Sequence, residues 1–166
     1  LADSGLYSLT LLAADAEGMA WGYSLRVPVR AADYGSDPPL KVDPVTLDPT
    51  VTEPELDQIG QIVAPVTPTR YWDGLFALPS VGGVRSVFGA LRAYNGGPYD
   101  SFHTGVDFSG GDDRPITAPA PGVVVFAGEL YVRGSATIID HGWGVYTGYW
   151  HQSKIEVSVG DEVETG

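Results

Sequence analysis

Glycine and proline interrupt this chain so often that its second half offers no stretch long enough for a regular helix. The 166 residues include 22 Gly and 13 Pro. From Leu78 onward, short apolar runs alternate with Gly and Pro turns at intervals of about eight to twelve residues, a spacing typical of β-sandwiches and barrels. The clearest runs span residues 122–127, 136–140, 145–150 and 155–159. We therefore predict an all-β barrel or sandwich for this half of the chain.

The N-terminal part of the sequence predicts a β-hairpin. Residues 6–14 and 20–30 are rich in aromatic and β-branched side chains, and the turn-prone sequence DAEG separates them. Because a lone hairpin is only marginally stable in water, we expect residues 1–31 to be the C-terminal hairpin of a truncated immunoglobulin-like β-sandwich. The chain begins with Leu1 rather than Met, and we expect it to be a piece of a longer protein.

Residues 32–75 are predicted to be a proline-rich linker with one short helix. Four prolines fall within residues 38–49, and proline without packing partners favours an extended, semi-rigid chain. Thr52 precedes Glu55 at the spacing of a capping box. Apolar residues then follow at helical intervals, so we predict a helix over about residues 53–64.

Composition excludes several classes of function. The formal net charge of −12 argues against a nucleic-acid binder and against electrostatic docking on an anionic membrane. No apolar run approaches the roughly 18 to 20 residues of a membrane-spanning helix. The absence of cysteine rules out disulfides and thiolate metal sites. The glycine-rich stretch 109–113 has no lysine to bind a phosphate, so we predict an ordinary loop there.

His103 and Asp107 form the strongest candidate for a chemical site. Both residue types suit Zn²⁺, but four residues of straight strand span about 13 Å. Two ligands of a tetrahedral zinc ion lie about 3.3 Å apart. A shared metal therefore requires a bend, which we predict at or near Gly105. On spacing alone, a surface histidine and a turn aspartate explain the pattern equally well.

The other two histidines have different surroundings. His151 follows aromatic residues in the sequence YWHQS, where a histidine is either a packed, hydrogen-bonded residue or a catalytic one. His141 lies where a predicted strand meets a glycine turn, and we predict a structural role for it.

Six sequence segments occur in an order that resembles the lysostaphin-type zinc endopeptidases, which cut peptidoglycan peptides. They are SVFGALR at 86–92, HTGVDF at 103–108, ITAPAPGVVVFAG at 116–128, IDHGWG at 139–144, YWHQS at 149–153 and VSVGDEVETG at 157–166. The resemblance covers residues 76–166 and implies the lysostaphin-type β-sandwich, a barrel-sandwich hybrid, in a mainly β chain.

The resemblance also implies a site and a reaction. It assigns His103 and Asp107 as ligands of Zn²⁺, and His151 as the catalytic residue that assists the water or the oxyanion. The substrate it implies is a peptidoglycan peptide, and the location is extracellular or in the cell envelope. The third ligand of the family lies in a later H-x-H motif, which these 166 residues lack. We therefore expect this chain alone to hold zinc weakly and to be inactive.

Further side chains are matched less closely by the resemblance. His141 falls at a position that is not a ligand, and Tyr99 aligns only loosely with a tyrosine that donates a hydrogen bond in the family. Three aromatic residues near His151 are candidates to line a peptide groove: Tyr146, Tyr149 and Trp150.

Two other functions are compatible with parts of the sequence. A degenerate domain of the same fold would bind cell wall or regulate cell-wall hydrolases without cutting, although retention of the three candidate site residues argues against it. A lipoyl or biotinyl carrier domain shares some turn sequences, but it needs a lysine at a hairpin tip. The only lysines, Lys41 and Lys154, do not occupy such a position.

Overall fold

The computed structural model of the chain describes residues 3–111 and 114–166. Asp112 and Asp113, which belong to the predicted loop at 109–113, lie outside the described residues, as do the first two residues of the predicted N-terminal hairpin module. The chain divides into two compact units, Leu1–Gly35 and Ser36–Gly166. Within the described part, none of the helices combines the length and apolar character needed to cross a membrane.

The first unit is the predicted hairpin. Strand β1 (Gly5–Ala14) pairs antiparallel with β2 (Ala20–Val29). The Asp15 carboxylate closes the turn by accepting hydrogen bonds from Glu17 N at 3.1 Å and Met19 N at 2.7 Å. Apolar side chains are exposed on both faces of the hairpin, because two strands enclose no core. An immunoglobulin-like parent domain stays a prediction.

The second unit is organised by a four-stranded antiparallel sheet with the strand order β10-β7-β8-β9. Its strands are β7 (Gly122–Leu130), β8 (Gly134–Asp140), β9 (Tyr146–Tyr149) and β10 (Glu162–Val163). The largest fully buried side chains of this sheet region are Val124, Ile138 and His141. The prediction of a mainly β fold is confirmed, and the apolar runs at 122–127, 136–140 and 145–150 correspond to strands β7, β8 and β9 of this sheet.

The run at 155–159 is not a strand, contrary to the pattern. The chain instead turns after it: Ser158 N donates to the Asp161 carboxylate at 2.8 Å, and Asp161 N donates to Ser158 O at 3.1 Å. Gly160 N then donates to Val124 O at 2.9 Å, so the pairing with β7 begins at the turn. Apolar alternation shows which residues could form a strand, but pairing depends on a partner that the sequence does not reveal.

Two short antiparallel ribbons precede the sheet. Strand β3 (Val84–Ser86) pairs with β6 (Asp107–Phe108), and β4 (Leu91–Ala93) pairs with β5 (Tyr99–Phe102). The start of the predicted linker joins the second ribbon. Ser36 and Leu40 form parallel bridges with Leu91 and Tyr94, respectively. Residues 36–40 are therefore paired with the β structure and do not form a free spacer.

The helix of the predicted linker begins earlier than the capping-box spacing indicated. A 3₁₀ helix (Pro44–Leu47) leads into helix α1 (Pro49–Val63). Asp48 caps α1 by accepting a hydrogen bond from Thr50 N at 2.9 Å, and proline occupies the first helical position, which needs no N–H donor. The prediction that Thr52 begins the helix was wrong because Asp48 is the N-cap.

Helix α1 is attached to the sheet through one buried carboxylate. Glu55 is 5% exposed, accepts a hydrogen bond from Val132 N at 2.7 Å, and forms an ion pair with the Arg133 guanidinium. Val132 and Arg133 lie in the turn between β7 and β8. The residue expected to close a capping box therefore anchors this turn instead.

Replacing Glu55 with alanine is expected to destabilise the second unit by about 2 kcal/mol. The substitution leaves Val132 N without its acceptor and the partly exposed Arg133 without its counter-ion. Urea unfolding followed by tryptophan fluorescence measures the loss. Glu53→Ala is the matched control, since Glu53 is an exposed glutamate of the same helix, and its cost should stay within about 0.5 kcal/mol. Equal unfolding midpoints for the two variants would contradict the anchoring role.

Candidate metal centre

A bend in the chain brings His103 and Asp107 together. Strand β5 ends just before His103 and β6 begins at Asp107. Between them the backbone bends at Thr104 and Gly105. The prediction of a bend at or near Gly105 is confirmed.

The strands on either side fix the backbone of both residues. His103 N donates to Ala90 O at 2.8 Å, and Gly89 N donates to His103 O at 2.8 Å. Asp107 lies opposite Ser86 in the β3–β6 pair. Because backbone pairing holds both residues, their relative position does not depend on the side chains alone.

The side chains of this pair have the spacing of two ligands on one metal ion. His103 Nε2 lies 3.2 Å from Asp107 Oδ1, close to the separation of about 3.3 Å between two ligands of a tetrahedral zinc ion. The His103 side chain is almost buried, whereas the Asp107 side chain is 51% exposed. A metal ion could therefore approach from the Asp107 side, and the nitrogen and oxygen donors fit zinc.

The second ring nitrogen of His103 faces hydrogen-bond acceptors. Nδ1 lies 2.9 Å from Ser86 Oγ and 3.2 Å from Val87 O. A carbonyl oxygen can only accept, so the contact with Val87 is a hydrogen bond when Nδ1 carries the proton. In that tautomer Nε2 has a free lone pair, as a metal ligand requires.

Two charged side chains complete this network. Arg92 Nη2 donates to Asp107 Oδ2 at 2.9 Å, and Arg92 Nε donates to Asp37 Oδ2 at 3.1 Å. The same Asp37 oxygen accepts a hydrogen bond from Ser86 Oγ at 2.6 Å. The Ser86 hydroxyl and the Arg92 guanidinium hold the pKa of Asp37 below its ordinary value, against the opposing effect of burial.

His151 lies at the end of β9 in a left-handed backbone conformation, with φ of 56°. Its N–H donates to Arg133 O at 2.9 Å, which is in the turn that Glu55 anchors, and the residue is exposed. Within the described residues, no hydrogen bond or ion pair joins His151 to His103 or Asp107. Over 3–111 and 114–166, no group of three or more His, Asp or Glu side chains is placed to hold a metal ion.

The three aromatic residues near His151 do not share one face. Tyr146 and Trp150 line a shallow apolar depression together with α1, whereas Tyr149 lines a separate one. The Tyr149 hydroxyl donates to Thr147 Oγ1 at 2.9 Å, and burial raises the pKa of Tyr149. Strand alternation explains the separation, because residues 146 and 150 point to the face opposite residue 149.

His141 has the structural role that the sequence predicts. It is fully buried, with Nδ1 2.8 Å from Pro121 O and Nε2 2.8 Å from Thr147 Oγ1. The carbonyl of Pro121 can only accept, so Nδ1 carries the proton and Nε2 accepts from the threonine hydroxyl. His141 O accepts a hydrogen bond from Tyr71 N at 3.1 Å, which ties the chain before the ribbons to the sheet.

Sequence reasoning missed Asp37 and gave no role to Ser86 or Arg92. Ser86 and Arg92 do lie in the first of the six segments, so their place before His103 was a usable signal. Asp37 offered none, because it is one of several acidic residues among prolines. Tyr99, considered as a hydrogen-bond donor, donates its hydroxyl to Asp37 O at 2.9 Å.

Part of the chain is similar in sequence to known peptidases. Residues 101–166 match the profile of Peptidase family M23. A segment of 59 residues is 37% identical to the DD-carboxypeptidase/endopeptidase Mpg of Neisseria meningitidis serogroup B and to that of Neisseria gonorrhoeae. The aligned segment covers 36% of this chain and 14% of each relative.

A crystal structure from Pseudomonas aeruginosa, provisionally assigned to peptidase M23, has the same fold. It aligns over 98% of this chain and 59% of its own, with a TM-score of 0.67 and 23% sequence identity. The resemblance drawn from the six segments is therefore confirmed: residues 101–166 match Peptidase family M23, and the chain shares its fold with this solved structure.

Proposed function

We propose that this protein is a zinc-dependent endopeptidase that hydrolyses peptide bonds in bacterial peptidoglycan and acts in the cell envelope or outside the cell. The observation that carries the proposal is the 3.2 Å separation of His103 Nε2 and Asp107 Oδ1. This pair lies within the segment that matches Peptidase family M23. The substrate class is supported by the DD-carboxypeptidase/endopeptidase activity for which the Neisseria relatives are named, and the aligned segment covers 14% of their length.

The residues present would supply two ligands, His103 through Nε2 and Asp107 through Oδ1. A bound zinc ion lowers the pKa of a water toward neutrality and polarises a carbonyl group. Arg92 would hold the Asp107 carboxylate in place through its hydrogen bond to Oδ2. His141 cannot be the third ligand, because both of its ring nitrogens are engaged in the core. We propose that the third ligand comes from outside these 166 residues.

His151 is the proposed general base or oxyanion donor. Its imidazole is exposed, so it can exchange a proton with water or substrate, and histidine is the side chain most often used for this step in catalysis. The hydrogen bond from its backbone N–H to Arg133 O fixes the position of the His151 backbone. Proton transfer to or from the scissile group is the step that we assign to it.

The proposal is tested on the chain together with any residues that follow Gly166 in its coding sequence, referred to below as the extended protein. Purified cross-linked muropeptides are incubated with it, and the products are identified by mass spectrometry. We expect new amine and carboxyl ends in the peptide part, and loss of at least about 10³-fold in rate for Asp107→Ala, since a ligand is removed. Asp57→Ala, an exposed position on α1, is the control. Binding of peptidoglycan without cleavage would favour the non-catalytic alternative instead.

The 166-residue chain alone should retain zinc weakly. With two protein ligands, fewer than the three of a catalytic zinc site, most of the metal is expected to be lost on gel filtration. Zinc content of the eluted protein is measured by atomic absorption, and hydrolysis is assayed in parallel. Zinc retained at one ion per chain, or hydrolysis by this chain, would show that the site is complete without a further ligand.

Replacing His151 with glutamine should lower kcat of the extended protein by about 10² to 10⁴-fold, the usual contribution of a general acid or base. Zinc content should be unchanged, since His151 is not a proposed ligand. Rate and metal content are measured on the same preparation. A decrease in zinc content that parallels the loss of rate would instead make His151 a ligand.

A further inference from the structure

Asp37 is a charged residue whose role no comparison assigns. It lies in the proline-rich segment, outside the stretch that matches Peptidase family M23. Its backbone is fixed in the β structure, since Asp37 N donates to Leu91 O at 2.9 Å and its neighbour Ser36 bridges to the same strand. The side chain is 15% exposed. A carboxylate held this rigidly and shielded from water needs specific partners.

Both side-chain partners of Asp37 also contact the candidate metal ligands. Ser86 Oγ donates to Asp37 Oδ2 at 2.6 Å and lies 2.9 Å from His103 Nδ1. Arg92 donates through Nε to Asp37 and through Nη2 to Asp107. One carboxylate therefore reaches each member of the pair through a single intervening side chain.

The branch through Ser86 acts on the proton of the His103 ring. The Asp37 carboxylate can only accept, so it takes the hydroxyl proton of Ser86. Ser86 Oγ is thereby left as an acceptor facing Nδ1 of His103, which favours the tautomer with the proton on Nδ1. Without metal, Asp107 Oδ1 attracts the same proton to Nε2. By keeping Ser86 Oγ as an acceptor for Nδ1, Asp37 favours the tautomer of His103 in which Nε2 carries no proton and has a free lone pair.

The branch through Arg92 acts on the orientation of Asp107. The guanidinium is planar and rigid, and Asp37 holds it at Nε. Nη2 is then directed to Oδ2 of Asp107, which leaves Oδ1 on the side of His103 Nε2. The two branches together present one nitrogen and one oxygen toward a common point.

We propose that Asp37 is the positioning residue of the metal pair: it selects the ring tautomer of His103 through Ser86 and orients the carboxylate of Asp107 through Arg92. This inference rests on the proposed function only for the identity of the metal. The proline-rich segment is then part of the metal centre, although it precedes the matched family segment.

The ratio of the two ring tautomers of His103 tests the proposal. A residue that only stabilised the fold would not shift this ratio away from protonation at Nδ1. The chain is labelled with ¹⁵N-histidine, and long-range ¹H–¹⁵N correlation spectra are recorded without metal at pH 8 to measure which ring nitrogen carries the proton. In Asp37→Ala, the hydroxyl of Ser86 is released and can donate to Nδ1. We expect the fraction of His103 protonated at Nδ1 to fall at least about twofold, because the Ser86 hydroxyl that accepted from Nδ1 now donates to it.

Three further variants make the test specific, and a fourth serves as a substitute. Asp37→Ala/Ser86→Ala removes the released hydroxyl while Val87 O still accepts from Nδ1, so the Nδ1-protonated fraction should recover toward that of the unmodified chain. Asp37→Asn keeps one oxygen acceptor and should behave as a partial rescue. Asp43→Asn is the matched control, since Asp43 caps the 3₁₀ helix of the same segment. Asp37→Leu, which also lacks an acceptor, replaces Asp37→Ala if that variant fails to fold.

Zinc affinity gives a second readout. A Zn²⁺ titration followed at the His103 resonances should show a dissociation constant about tenfold higher for Asp37→Ala, and one within about threefold of the unmodified chain for Asp37→Asn. A tautomer ratio and a dissociation constant that both stay unchanged in a folded Asp37→Ala would overturn the proposal.

The two proposals fail in distinguishable ways. If the extended protein cleaves peptidoglycan but Asp37→Ala leaves the tautomer and zinc affinity unchanged, the proposed function stands and the role of Asp37 is overturned. If Asp37→Ala shifts the tautomer while the extended protein neither binds zinc at His103 nor cleaves, the positioning role stands and the proposed function is overturned.

Discussion

The Arg92 guanidinium bound between two carboxylates is the interaction on which the organisation of this site depends. Asp37 and Asp107 accept from it at 3.1 and 2.9 Å, and without it the two carboxylates would have no positive charge between them. Arginine suits this position because its planar fork can donate in two directions while staying charged. The arrangement holds the Asp107 carboxylate in an orientation that the proposed metal ion could use without rearranging the surrounding strands.

Another carboxylate, Glu55, also fixes a part of the second unit through an arginine. It holds the turn between β7 and β8, and that turn supplies the carbonyl of Arg133 to the backbone of His151. The two acidic residues that precede the ribbons are thus bound to different parts of the second unit. Packing, hydrogen bonding and charge act together here, since each carboxylate is shielded from water and has a backbone or hydroxyl donor in addition to an arginine.

The sequence was sufficient for the elements that local patterns determine. The hairpin, strands β7 to β9 and the bend near Gly105 followed from alternation, turn residues and ligand spacing. Long-range partners were not accessible in this way. The N-cap of the helix is Asp48 and not Thr52. Glu55 does not close a capping box but accepts a hydrogen bond from Val132 N, 77 residues later in the chain. Asp37 reaches Ser86 and Arg92 across 49 and 55 residues, a distance over which a single sequence carries no pairing information.

These contacts also determine which part of the chain is required to hold His103 and Asp107 in their observed positions. Within 101–166, His103 would lose both backbone partners, because Ala90 and Gly89 supply them. Asp107 would lose the Ser86 pairing and the hydrogen bond from Arg92. The segment that matches a peptidase family by sequence is therefore shorter than the unit that holds the His103–Asp107 pair in place. The geometry of this pair depends on residues 36–108 together, in which the ribbons fix the backbone and Asp37 connects the side chains.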